Sequence, residues 1–103
     1  MKFRTTPSFD RDWKRLPDEH KRIFRERLGD FTKACDAFAA DKAVVWPAAL
    51  RVSRLTGTKS IWEMTWSFAG PDGRGTFEFI LDDEGVLYCQ WRRVGDHSIY
   101  VNA

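Results

Sequence analysis

Apolar residues recur between positions 24 and 38 in steps of four, three, four and three: Phe24, Leu28, Phe31, Cys35 and Phe38. That spacing draws one apolar stripe along an α-helix. Lys21, Arg22, Arg25, Arg27 and Lys33 stand between the seam positions. They read as a solvated face, with contact to phosphate as the sharper alternative. A shorter helix precedes it, carrying Phe9, Trp13 and Leu16 at i, i+4 and i+7. Thr6 has the chemistry of its N-cap, and Pro7 suits its first position. Pro17 separates the two helices, and Asp18 and Glu19 then sit where the helix dipole favours acids. Residues 2–6 predict a short strand ahead of both.

Beyond Trp46-Pro47, a pair that disfavours helix, the period switches to two. Strands are predicted over 50–55, 61–68, 74–81 and 86–93, with turns at 70–73 and 82–85. Trp62, Met64, Trp66 and Phe68 alternate with Glu63, Thr65 and Ser67; Phe77, Phe79 and Leu81 alternate with Arg74, Thr76, Glu78 and Ile80. Leu87, Cys89 and Trp91 alternate likewise with Tyr88, Gln90 and Arg92. One greasy side and one polar side are the mark of a sheet covered on one face. The expected fold is therefore α+β over residues 1–103 as one domain: a short N-terminal strand, a two-helix hairpin, then an antiparallel sheet of three to four strands covered by the helices on one face. The polar face should stand open, floored by Arg51, Glu63, Arg74, Glu78, Tyr88 and Arg92 among others.

Composition supports a packed core, with five tryptophans and eight phenylalanines in 103 residues. The net charge of +2 is unevenly spread, with +4 on residues 1–52 and −2 on 53–103. A mildly basic chain of this kind permits nucleic-acid contact without demanding it. No apolar run is long enough for a membrane span, and nothing reads as a leader, so a cytoplasmic protein is expected. Cys35 and Cys89 have no metal-ligand spacing and are expected to be reduced and core-facing; no metal or other cofactor is expected.

The chain resembles the RelE/ParE superfamily of toxin–antitoxin toxins. The resemblance spans nearly all of it and rests on the element order, the turn Leu55-Thr56-Gly57, the strand opening with Arg74, and the close Gly95, His97 and Tyr100. It implies one of two activities. RelE-like members are ribosome-dependent mRNA endonucleases, in which a ribose 2′-OH attacks the adjacent phosphate. That chemistry needs a proton acceptor, cations for the phosphorane and a proton donor for the leaving oxygen. ParE-like members are non-enzymatic inhibitors of DNA gyrase. A homologue that only binds a protein partner is a third possibility, and the resemblance also implies a cognate antitoxin.

On that basis the candidate catalytic residues are His97, Tyr100, Arg74, Arg92 and Glu63. Histidine is the side chain most readily tuned for proton transfer near neutral pH. Tyr100 can stack on a base or pass a proton. Arg74 and Arg92 suit phosphate, or cross-strand pairing with Glu63 and Glu78. Arg51, Arg93, Lys59 and Tyr88 are candidate RNA contacts, although alternation turns Arg93 toward the covered side unless a bulge intervenes. Glu63 stands where RNA-cleaving relatives carry a cation; it can serve as a base, and it also lowers the positive potential.

Overall fold

The Thr6 hydroxyl accepts the Phe9 N–H at 3.1 Å, and the first helix starts there, with Pro7 at the position whose N–H needs no partner. A computed structural model describes residues 1–58, 60–66 and 73–103, apart from the side chains of His97, Val101 and Asn102. The order is β1 (Lys2–Thr5), α1 (Pro7–Arg15), α2 (Asp18–Ala40), a 3-10 turn (Ala48–Leu50), β2 (Ser53–Arg54), β3 (Trp62–Thr65), β4 (Arg74–Leu81), β5 (Leu87–Gly95) and a C-terminal 3-10 segment (His97–Asn102). Lys59, the strand end Ser67-Phe68 and residues 70–72 of the expected turn lie outside the described residues.

The helix seam folds as its spacing predicts. Phe24, Phe31 and Cys35 are buried, and Phe31 sits 4.8 Å from the Trp91 ring and 5.0 Å from the Phe77 ring. Phe9 and Phe24 extend the same layer onto Trp91. At the other end, Phe38 stacks on Phe79 at 5.0 Å beside Trp46 and Trp62. Both helices therefore bury their apolar stripes on one face of the sheet. Gly73 is the position where the Trp66 ring lies against backbone: a Cβ there would meet the ring at 2.2 Å.

The sheet runs β1-β5-β4-β3-β2. The last four strands are antiparallel, and β1 joins β5 in parallel, which makes a mixed sheet of five strands rather than an antiparallel sheet alone. β4 has the bounds that the alternation predicts, whereas β2 is two residues long. Leu50 turns inward in the 3-10 turn instead, and Arg51 follows in the left-handed region at φ 46°, so neither residue extends the strand. Leu81, expected inside, is 67 % exposed at the end of β4.

Between Thr76 and Phe77 the β4–β5 register slips, from Thr76 opposite Arg93 to Phe77 opposite Trp91. Arg92 is the extra residue of this bulge. The larger correction concerns the polar face, which does not stand fully open. The C-terminal 3-10 segment folds back so that Tyr100 reaches Glu63 and Ala103 reaches Arg92, and Thr65 and Thr76 are buried. Alternation along the strands carries no information about a segment that crosses them from outside.

The two ends of the burial scale give a direct check. Phe31→Ala is expected to lose about 3–5 kcal/mol of unfolding free energy in urea titration. Leu81→Ala should stay within about 0.5 kcal/mol of the parent. Equal losses for the two would contradict this assignment of the core.

Candidate functional site

Three elements distant in sequence meet at one end of the polar face. β3 presents Glu63, β4 presents Arg74, and the C-terminal segment brings Tyr100 over them. The Tyr100 hydroxyl donates to Glu63 Oε2, and the Ser53 hydroxyl lies 3.4 Å from the other carboxylate oxygen. Burial and then the bond to Glu63 push the Tyr100 hydroxyl up to about 12, against the opposing pull of the Arg74 cation. Tyr100 therefore stays protonated through neutral pH and presents a donor. A carboxylate acceptor, a phenolic donor and a guanidinium thus share one site.

A second cluster runs across β1, β5 and β4. Arg4 Nε donates to Gln90 Oε1 at 2.8 Å, and Gln90 Nε2 donates to Glu78 at 2.9 Å. Arg92 donates to the same Glu78 oxygen at 3.1 Å and to the Ala103 carbonyl oxygen at 2.8 Å. Arg92 joins this row on the side its alternation predicts, and the half-buried carboxylate of Glu78 offsets its charge. Tyr88 belongs to the same face, with the Arg4 guanidinium 4.9 Å above its ring.

The other predicted residues lie elsewhere. Arg93 leaves the sheet face for α1: its Nε and Nη2 donate to Asp12 at 2.6 and 3.1 Å, and Asp12 also accepts the Val94 N–H at 3.2 Å. Arg51 stands at the end of the 3-10 turn, outside every strand. Lys59 lies outside the described residues, as does the His97 side chain; the His97 backbone opens the C-terminal segment behind the N-cap Asp96, which accepts the Ser98 N–H at 2.8 Å. On α2, Arg22 pairs with Glu19 and Glu26, and Lys21 and Arg25 lie over the Trp13 ring. Those cations cover the helix surface.

Sequence reading missed Asp12 and Gln90. Asp12 looks like one more acid in a charged helix, and only the proximity of β5 makes it the anchor of Arg93. Gln90 alternates onto the polar face, but its link between Arg4 and Glu78 depends on β1 lying parallel beside β5. Cys35 and Cys89, remote in sequence, face each other in the core. The hydrogen bond between the thiols and then burial push Cys89 far above the usual thiol range, so it is no nucleophile. Among the described residues no three His, Cys, Asp or Glu side chains gather to hold a metal ion, and no helix is long and apolar enough to cross a membrane.

The Tyr100 geometry predicts a spectroscopic signature. The group's ionisation is raised in the folded state, so its contribution to stability is present below its ordinary value near 10 and lost as pH rises through about 12. Phenolate absorbance should show one component titrating near pH 12, and Tyr100→Phe should remove it. A Tyr100 that ionises near 10 would mean that its burial and its contact with Glu63 do not hold in solution.

Compared with protein-family models, with curated proteins and with solved structures, the chain finds no match in any of the three.

Proposed function

We propose that the chain is a RelE/ParE-like toxin that cleaves mRNA on the ribosome, acts in the cytoplasm and is held silent by a cognate antitoxin. The observation that carries this reading is the convergence of Glu63, Tyr100 and Arg74, three chemistries that transesterification of RNA requires, on residues brought together from β3, β4 and the C-terminal segment. Glu63 takes the 2′-OH proton as the O2′–P bond forms. Arg74 stabilises the phosphorane charge, with Arg92 farther along the face. As the P–O5′ bond breaks, the leaving oxygen takes the Tyr100 proton. The proton held on Glu63 returns to Tyr100 along their hydrogen bond, which leaves a 2′,3′-cyclic phosphate and a 5′-hydroxyl.

A second reading draws on a different observation. On the polar face Glu78 offsets Arg92, which weakens the pull of the cations there on a substrate phosphate. A homologue that binds a protein partner without cutting RNA, whether DNA gyrase or an antitoxin alone, has no need of such cations.

The discriminating experiment maps transcript ends after the purified protein meets programmed ribosomes. The parent chain should cut the message, while Glu63→Gln and Tyr100→Phe lower the rate by about 10²–10⁴-fold and Arg74→Ala by about 10²–10³-fold, each in a chain that circular dichroism shows to be folded at the assay temperature. An uncut message with the parent chain, or normal cutting by all three variants, would sink the nuclease reading. Inhibition of gyrase supercoiling in its place would select the second.

A further inference from the structure

The N-terminal helix holds a group of cations that the polar face does not use. Ser8, Arg11, Asp12 and Arg15 recur on one side of α1 at helical spacing, and with Arg93 of β5 they line a cleft of about 320 Å³. Asp12 clamps Arg93 with two bonds and is itself held by the Val94 N–H, so this guanidinium has a set position against α1. Arg11 donates to the Ser8 hydroxyl at 3.2 Å. Arg15 is exposed and makes no ion pair or hydrogen bond among the described residues. Three guanidiniums and a hydroxyl thus face one small space against a single carboxylate.

Next to it lies a second cleft of about 350 Å³ that shares Asp12, Arg15 and Arg93 as its wall. Its other lining includes His20, whose ring meets Trp66 edge-on at 5.6 Å, and Trp66 itself, whose buried Nε1–H has no acceptor among the described residues. Each volume lies within the roughly 300–1,000 Å³ of small-molecule sites. Guanidinium forks suit phosphate and carboxylate alike. An acidic peptide, however, offers no flat ring to set beside the half-buried His20 imidazole of the neighbouring cleft, whereas a nucleotide carries an anion at one end and a flat ring at the other.

We infer that the paired clefts between α1 and the end of β5 form a nucleotide site on an RNA strand, with the phosphate among Arg11, Arg15 and Arg93 and the base beside His20. The site is separate from Glu63 and Tyr100 and grips the strand without touching the bond that breaks. It rests on the RNA-directed reading for the source of its ligand and deepens that reading by naming a second point of contact.

The test titrates the full chain with a fluorescein-labelled ten-nucleotide single-stranded RNA, read by anisotropy at several salt concentrations. Arg11→Ala/Arg15→Ala is expected to weaken binding about tenfold and to flatten the salt slope by about 0.7, the share of the one phosphate these side chains hold. Both side chains are exposed, so the melting temperature should not move. Adenosine monophosphate should compete at least tenfold better than adenosine or inorganic phosphate, and His20→Ala should erase its advantage over inorganic phosphate. Unchanged RNA affinity in the double variant would overturn the inference. So would inorganic phosphate competing as well as the nucleotide, or a ten-residue polyglutamate displacing the RNA equally well. This binding is read without ribosomes and without cleavage, so a failure of cleavage and a failure of this site appear as different results.

Discussion

The Phe31 ring, wedged between Phe77 and Trp91, is the contact on which the rest of the structure depends. It joins the middle of α2 to the two central strands of the sheet. A ring of that size at zero exposure leaves little freedom in how helix and sheet approach. With α2 set, Phe24 reaches Trp91 and Trp66 on one side, and Phe38 meets Phe79 on the other. The sheet position of β5 follows from the same packing. It accepts β4 on one edge and β1 on the other, which brings α1 and its Asp12 against the end of β5.

The opposite face of the sheet is organised by charge rather than by rings. Arg92 and Glu78 form a half-buried pair that a neutral amide, Gln90, extends to Arg4. A carboxylate in that setting serves two donors at once, and removal of either partner would leave a desolvated charge. The C-terminal segment completes the arrangement through the Ala103 carbonyl and the Tyr100 hydroxyl. The same contacts that close the fold therefore assemble the proposed reactive groups, and any ligand of Glu63 approaches at the border of that segment.

Much of this was legible in particular residues. The seam Phe24–Phe38 predicted the long helix, Thr6-Pro7 its shorter neighbour, and alternation from Arg74 to Leu81 the bounds of β4. Three features were not legible, each for a physical reason. Leu81 alternates correctly but outruns the helix layer, so it meets solvent. The bulge at Arg92 shifts one residue without altering composition, and hydrophobic pattern barely registers such a shift. Arg11 and Arg15 look like ordinary helix-surface cations, because a cleft exists only once β5 lies against α1.

The sequence by itself determined the α+β class, the two amphipathic helices and the apolar face of each C-terminal strand, because these depend on periods of 3.6 and 2 within a single segment. Tertiary structure alone decided that β1 would lie parallel to β5, that Arg93 would pair with Asp12, and that Tyr100 would reach Glu63 across the sheet. Those contacts join residues 37 or more positions apart, and side chains so distant acquire a common environment only when packing brings their elements together.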